Sequence, residues 1–184
     1  MRTKSVQDLM IPISEYVTVS QDATLNEAVA ALKQSHADSD QDKYRHRAVL
    51  IKGADQQIIG KMDLHTILKA LEPKYEDMFA DNGPAHLGFT RKYQKAMFGS
   101  FKLWQDPINQ ICEKAARTKV SNFVTRPTEN EIIEPDAPLG EAVHQLVLGR
   151  HQSLLVNEGR KIIGILRLTD VFETLIDMIF ACEI

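Results

Sequence analysis

The fold is decided by a stretch that occurs twice, first as Asp22-Ala23-Thr24-Leu25-Asn26-Glu27-Ala28-Val29 and again, 114 positions later, as Asp136-Ala137-Pro138-Leu139-Gly140-Glu141-Ala142-Val143. A second block, IIGKMDL at 58–64, returns 104 positions later as IIGILRL at 162–168. The chain therefore holds two copies of one unit. The first copy carries ten additional residues between its blocks, mostly in the polar run Ser35 to His46. Two copies separated by a long spacer indicate a tandem pair rather than a solenoid.

Each copy predicts the element order β-α-β-β-α. A β-prone stretch (Tyr16 to Val19, then Glu131 to Glu134) precedes the first helix. Two further β-runs follow, joined by polar turns that contain Gly53 and Gly159, and these predict a hairpin in each copy. A second helix closes each copy, and its apolar residues recur at helical spacing from Leu168 to Ile179 in the second copy.

Capping patterns mark the starts of the first helices. Thr24 and Glu27 have the spacing of a capping box, in which each side chain satisfies a backbone donor at the helix start. In the second copy Asp136 is the expected cap, with Pro138 in the first turn. Gly149 suits the position just past the end of that helix.

One small repeat covers only one face of its sheet with helices, so its twin is the natural cover for the other face. We expect an α+β fold in which two β-α-β-β-α repeats pack sheet to sheet about an approximate two-fold axis. The expected units are residues 3–72, a helical spacer at 73–117, and residues 118–184. The spacer is too apolar for a free linker, and we expect it to pack on the repeats with Phe98, Phe101 and Trp104 mostly buried.

Composition limits the classes of function. The formal net charge of −3 disfavours broad nucleic-acid binding. No stretch reaches the roughly 20 apolar residues that span a bilayer, and the first residues lack the apolar core of a signal peptide. The two cysteines lie outside any CxxC pair, which is typical of a reducing compartment. We therefore expect a cytoplasmic protein with no membrane partner.

Both copies resemble the cystathionine-β-synthase (CBS) domain. Its sequences open with V-x-D-h-M, enter the first helix with h-x-P-D-A-T-L-x-E-A and end on h-h-G-h-h-T-x-x-D, where h is apolar. The matching residues here are Val6 to Met10, Ser20 to Ala28 and Ile162 to Leu166, and the resemblance covers about residues 3–72 and 118–180. It implies a tandem (Bateman) module with two clefts that take AMP, ADP, ATP, S-adenosylmethionine or related regulatory ligands.

The resemblance also implies which side chains hold the ligand. Near the start of a repeat's last helix, a Ser or Thr orients phosphate or ribose and an Asp binds the ribose hydroxyls. In the second repeat Asp170 stands at the aspartate position, while Arg167 replaces the Ser or Thr. In the first repeat Asp63 and Thr66 occupy these positions, so that cleft looks degenerate. The implied nucleotide-binding residues are therefore those of the second repeat: Gly164, Arg167, Thr169, Asp170, Ile132, Ile133 and His151.

These residues have structural interpretations as well. An acid such as Asp170 is favoured in the first turn of any helix, and Arg167 three residues earlier can pair with it. Asp63 is a suitable N-cap for the apolar helix that follows it. Ile132 and Ile133 suit core packing, and His151 suits a surface position. Both interpretations stay open at this point.

Three classes of function compete. A regulatory module that binds a nucleotide is the first, and a ligand-free dimerisation scaffold that regulates a partner protein is the alternative. The third class is nucleic-acid binding through the aromatic and basic stretch from Arg91 to Lys102, which at helical spacing is more typical of a packing face. An enzyme is not expected, because no catalytic motif and no Cys/His cluster at zinc-ligand spacing is present. The apolar stripes at Leu168 to Ile179 and Leu64 to Leu71 predict a homodimer.

Overall fold

The computed structural model describes residues 4–37, 46–80, 90–124 and 126–181. Most of the additional polar residues of the first repeat lie outside these ranges. In the described part the helices are α1 (Leu25–Ala37), α2 (Leu64–Leu71), α3 (Lys74–Ala80), α4 (Arg91–Ser100), α5 (Ile108–Arg117), α6 (Leu139–Gly149) and α7 (Leu168–Phe180). The strands are β1 (Ile11–Pro12), β2 (Thr18–Ser20), β3 (Ala48–Lys52), β4 (Ile58–Asp63), β5 (Ile132–Ile133), β6 (Ser153–Glu158) and β7 (Lys161–Arg167).

The strands form two sheets, one for each repeat. The first has the order β2-β3-β4, and the second has the order β1-β7-β6-β5. In each repeat the short first strand runs parallel to the next one, and the two long strands form an antiparallel hairpin. This confirms the predicted β-α-β-β-α order. The predicted hairpins are also present, and Gly159 takes a left-handed φ of 64° in the turn between β6 and β7.

The two repeats exchange their opening segments. The amide of Val6 donates to the carbonyl of Ala137 at 2.9 Å, and the amide of Val120 donates to the carbonyl of Ala23 at the same distance. Both donors and both acceptors are 114 positions apart, so these contacts obey the internal two-fold axis. Each opening segment therefore packs on the core of the other repeat: Val6 is buried against the second core and Val120 against the first.

The sheets pack face to face, as predicted. A buried cluster joins Leu50 and Ile58 of the first sheet to Leu155 and Ile165 of the second, with Tyr16 beside them. Burying large apolar side chains from both sheets contributes roughly 1.5–3 kcal/mol for each side chain. The face of each sheet that its own helices leave open is thus covered by the sheet of the other repeat.

Strand β1 was not expected from the sequence. Its Ile11 and Pro12 pair with Ile165 and Gly164 of β7, across the boundary between the repeats. A Cβ at Gly164 would lie 2.8 Å from the Ile11 carbonyl oxygen, closer than real Cβ atoms come. Glycine at this position is therefore needed for the exchanged strand to approach β7.

The first helix of each repeat begins in a different way. Glu27 donates its amide to Thr24 Oγ1 at 3.2 Å, and Thr24 donates its amide to Glu27 Oε2 at 2.6 Å, which confirms the capping box. The cap predicted at Asp136 is wrong, because Pro138 is the N-cap residue of α6 and no side chain caps that helix. Gly149 is the last residue of α6, and the left-handed position past its end belongs to Arg150.

The described part of the spacer is mainly helical, and its aromatic residues are not mostly buried. Helix α5 packs against α1 and α2, where Ala115 joins the first core. Helix α4, in contrast, has no buried residue. Phe98 is 47 % exposed and Trp104 is 37 % exposed, while Leu103 between them is buried. The aromatic pattern therefore does not mark a face that this chain covers.

Candidate functional site

The second cleft lies where β7 ends and α7 begins. Arg167 is the last residue of β7, and Asp170 stands in the first turn of α7. The guanidinium of Arg167 donates to both oxygens of the Asp170 carboxylate, from Nε to Oδ2 at 2.6 Å and from Nη2 to Oδ1 at 2.5 Å. The side chains are only 6 % and 17 % exposed. A bidentate ion pair of this kind is both strong and geometrically specific.

The first repeat supplies the wall of the second cleft. Tyr16 is buried beside the Arg167–Asp170 pair, and the ring of His46 stacks on it with centroids 4.0 Å apart. Burial raises the pKa of Tyr16 to about 12, against the opposing effect of the Arg167 charge. The Nδ1 atom of His46 accepts the Val17 amide at 3.3 Å. Burial lowers the pKa of His46, and the charges of Arg167 and His36 act in the same direction.

A shallow hollow, open to solvent, adjoins this pair. It lies between the repeats, because the starts of β3 and β6 and the starts of α2 and α7 all contribute to it. Thr169 reaches it from the first turn of α7, where backbone amides favour an anion. Its lining is Tyr16, Arg47, Ala48, Asp63, Gln152, Ser153, Arg167 and Thr169.

The first cleft is a separate open hollow at the start of α2. Its lining is Lys61, Asp63, Thr66, Phe123, Pro127 and Glu131. Asp63 Oδ1 accepts both the amide and the hydroxyl of Thr66 at 2.8 Å, so Asp63 is the N-cap of α2. The predicted capping role of Asp63 is thereby confirmed. The position that an aspartate would hold for ribose is taken by the Thr66 hydroxyl, which is itself engaged with Asp63.

Lys61 joins the two repeats beside the first cleft. Its ammonium donates to the carbonyl oxygen of Ser153 at 2.5 Å and lies 3.9 Å from Glu131. Burial lowers the pKa of Lys61, while the Glu131 and Asp63 carboxylates oppose this shift. A cation placed in this way is held by the second repeat although it belongs to a strand of the first.

The predicted residues divide into two groups. Arg167, Thr169 and Asp170 come together at the second cleft, whereas Gly164 packs against β1. The ring of His151 covers Gly149, and a Cβ at Gly149 would collide with that ring. The amide of His151 donates to the carbonyl of Leu146 at 3.0 Å.

Ile132 and Ile133 lie on β5, away from the linings of both hollows. Ile133 is buried in the core of the second repeat. The exchange of opening segments explains this placement, because the wall of the second cleft comes from Tyr16 of the first repeat. The role of the two isoleucines against a base stays a prediction.

Sequence reasoning missed Tyr16, His46 and Lys61. Tyr16 and Glu131 each follow by four positions the proline that closes an opening turn, Pro12 or Pro127. Their common offset was the available signal for a shared position on the two cleft walls. The place of His46 depends on the tertiary fold, since it comes after the additional residues of the first repeat.

The described part of the chain holds neither a cluster of metal ligands nor a membrane span. No group of three or more His, Cys, Asp or Glu residues there could hold a metal ion. None of the helices in those ranges is long and apolar enough to cross a bilayer.

Comparison with known proteins identifies the fold. The sequence pattern of the CBS domain matches residues 120–177. No curated protein sequence matches the chain. The structure is similar to the CBS-pair protein CBSX2 from Arabidopsis thaliana, with a TM-score of 0.60, 14 % identity, and coverage of 97 % of this chain and 98 % of that one.

Two further structures give the same result. A complex of CBSX2 with AMP has a TM-score of 0.57 and 14 % identity, covering 95 % of this chain and 97 % of that chain. A putative acetoin utilization protein (AcuB) from Vibrio cholerae has a TM-score of 0.59 and 16 % identity, covering 97 % and 94 % respectively. The second repeat is a CBS domain, and the chain has the fold of a tandem CBS pair, the Bateman module.

Proposed function

We propose that this CBS pair is a regulatory module, and not an enzyme, that binds an adenine nucleotide in its second cleft. The Arg167–Asp170 ion pair is the observation that carries the proposal. It places a carboxylate and a guanidinium together at a helix start, next to a hollow lined by both repeats. A nucleotide offers the complementary groups, since its phosphate accepts from a guanidinium and its ribose hydroxyls donate to a carboxylate.

When the ligand binds, Arg167 and Asp170 each take a new partner, and neither charge loses its partner without a replacement. In the free protein the two charged side chains satisfy each other. With ligand, Asp170 turns to the ribose hydroxyls, and Arg167 turns to the phosphate in a bidentate contact of equal quality. Thr169 lines the hollow from the first turn of α7, and a helix start of this kind favours a phosphate. Neither charge is left unpaired in either state, so the exchange avoids the penalty of a buried lone ion.

The crystal structure of CBSX2 with AMP supports a nucleotide as the ligand class, because it has the same fold. AMP, ADP, ATP and S-adenosylmethionine all carry the ribose hydroxyls that Asp170 would bind. Signal transfer follows from the position of the pair. Opening Arg167–Asp170 moves the first turn of α7, and α7 exposes apolar side chains on its outer face, where a partner can respond.

A ligand-free scaffold is the second candidate, and a separate observation favours it. Large apolar side chains are exposed on both terminal helices of the repeats: Leu64 and Leu68 on α2, and Phe172, Ile179 and Phe180 on α7. Surfaces of this kind commonly pair two copies of a chain. Light scattering distinguishes the states, because a dimer has twice the monomer mass of 20.8 kDa.

Titration calorimetry with AMP, ADP, ATP and S-adenosylmethionine tests the nucleotide proposal. A hydrogen bond to a charged group is worth roughly 1.5–3 kcal/mol, so Asp170→Ala is expected to weaken binding by about 10- to 150-fold. Glu173→Gln is the matched control, since Glu173 is an exposed acid on the same helix. Asp170→Asn retains an acceptor for Arg167 and separates loss of the ligand contact from loss of the fold. Absence of binding to the parent at about millimolar ligand would leave the scaffold candidate.

A further inference from the structure

The stretch from Thr90 to Gln105, here called the basic surface, contains α4 and the turn after it. It carries four cations and no acid, although the whole chain has a net charge of −3. The cations are Arg91, Lys92, Lys95 and Lys102, and all four are exposed. None of these side chains forms an ion pair with another described residue.

Folding alone does not account for α4. The helix buries none of its residues, so it gains little from the core. Arg91 and Lys95 are four positions apart and Lys92 and Lys95 are three apart, and like charges at these spacings destabilise a helix. An anionic partner would remove this repulsion.

The turn after α4 holds an aromatic ring in a fixed place. Glu72, which is buried, accepts the amide of Trp104 at 2.6 Å. The indole Nε1 of Trp104 donates to the hydroxyl of Tyr75 at 3.1 Å, and the two rings meet edge to face. Leu103 is anchored in the interior beside it. Trp104 is therefore positioned in advance, with part of its ring open to solvent.

One aromatic ring shares a face of α4 with two of its cations. Phe98 lies seven positions after Arg91 and three after Lys95, which places it on the same helix face as both. A helix that lies on a membrane separates its cations from its aromatic residues, so this arrangement does not fit a lipid surface. An acidic peptide would satisfy the charges but would offer no regular series of rings to Phe98 and Trp104.

We propose that the basic surface binds single-stranded nucleic acid. The four cations contact phosphates, and Phe98 and Trp104 stack on bases, the combination by which proteins bind single strands without sequence preference. A packing face and the net charge of −3 both disfavour nucleic acid; the exposure of Phe98 and Trp104 removes the first objection, and the local excess of cations answers the second for this surface. The site is separate from both clefts and does not depend on nucleotide binding.

Fluorescence anisotropy with labelled oligothymidine and oligouridine tests the proposal on the full chain, and Trp104, the single tryptophan, reports contact by quenching. Four phosphate contacts predict a slope of log K against log salt of about −3. Stacking is worth roughly 1–3 kcal/mol per base, so Phe98→Ala should weaken binding by about 5- to 150-fold. Lys92→Gln should lower the magnitude of the salt slope by about 0.7.

Controls use residues of similar exposure elsewhere. Leu148→Ala on α6 removes an exposed apolar side chain, and Lys33→Gln on α1 removes an exposed cation. Neither should change binding. Because α4 has no buried residue, Phe98→Ala should melt with the parent. Failure of the parent to bind either oligomer overturns the proposal, as does equal loss in the controls.

Competition identifies the ligand class. Excess AMP should leave the oligonucleotide in place, and displacement by AMP would assign binding to the second cleft instead. Binding to anionic vesicles or to polyglutamate but not to single strands would overturn the proposal in favour of a membrane or an acidic protein.

Discussion

The two clefts are built by repeats with the same order of strands and helices, but their charged side chains find partners in different ways. In the second cleft Arg167 pairs with Asp170 three residues away, within one repeat. In the first cleft Lys61 reaches out of its repeat, to Ser153 and toward Glu131. The charged group of the first cleft therefore joins the two repeats, whereas the Arg167–Asp170 pair of the second cleft lies within one repeat. A site that must change state is better placed where the change is local.

The hydrogen bonds at the helix starts extend this contrast. At α2, Asp63 uses one oxygen to cap the helix and hold Thr66, so the start of α2 is satisfied from within. At α7, the N-cap residue is Arg167 and no side chain caps the helix. The amide of Leu168 donates to the carbonyl of Gln152 at 2.9 Å, and no side chain caps the amides that follow it, next to the Arg167–Asp170 pair.

The largest effect is expected from breaking the Arg167–Asp170 pair. Asp170→Ala leaves a buried guanidinium without its carboxylate, and removal of one partner of a buried pair costs roughly 3–5 kcal/mol. Urea denaturation should show this loss in the free energy of unfolding. The double variant Arg167→Met/Asp170→Leu should recover most of it, because both charges are gone. If the single variant loses less than about 1 kcal/mol, the pair is not held as the structure has it.

The cross-repeat contact of Lys61 is tested by giving the first cleft the residue of the second. Lys61→Ile places isoleucine where Ile165 stands in the other repeat. Ser153 loses a charge-assisted hydrogen bond at its carbonyl, and we expect a loss of roughly 1–3 kcal/mol in denaturation. Lys61→Met retains the apolar stem and is the matched comparison. A Lys61→Ile variant as stable as the parent would show that the hydrogen bond from Lys61 to Ser153 contributes little to stability.

The cap of α2 should matter less. Asp63→Ala removes the acceptor for the Thr66 amide, which costs about 1 kcal/mol of stability. Asp63→Asn preserves an acceptor and should retain most of that stability. Thermal denaturation of the two variants against the parent measures the difference, and equal melting of all three would contradict the capping role.

The sequence predicts the fold far better than the site. The repeated blocks and the Thr24–Glu27 capping box are local patterns, and local patterns survive in the folded chain. The wall of the second cleft is not local, because Tyr16 reaches it only after the repeats exchange opening segments. No periodicity contains that information. The assignment of Ile132 and Ile133 to the base comes from the family resemblance, and it stays a prediction.

The spacer shows a second limit of sequence reasoning. Aromatic side chains at helical spacing indicate that a face is apolar, but they do not indicate what covers it. Leu103 is buried, whereas its neighbour Trp104 is 37 % exposed. Glu72 fixes the backbone at this point because its carboxylate accepts the amide of Trp104. A buried glutamate 32 positions away sets that outcome, and the spacing of aromatic residues carries no trace of it.

The smallest expected effect concerns pH and the wall of the second cleft. The pKa of His46 in the folded protein lies below its ordinary value, so the unfolded chain binds the proton more readily. The contribution of His46 to stability is therefore complete above a pH of about 6.5. It is lost as the pH falls through the lower pKa that His46 has in the folded protein. Protonation would also end the bond from the Val17 amide to Nδ1 and place a cation near Arg167.

His46→Phe preserves the stack on Tyr16 and removes the titration. The parent should lose stability between about pH 7 and about pH 5 relative to this variant, measured by urea denaturation at each pH. Glu27 and Asp106 also have lowered pKa values, from their bonds to Thr24 and Lys114, but carboxylates titrate in a more acidic range and are common to both proteins. Parallel curves for parent and variant would exclude His46 as the titrating group. A difference confined to this range would place a contact that responds near neutral pH at the second cleft, beside the ion pair that a ligand would open.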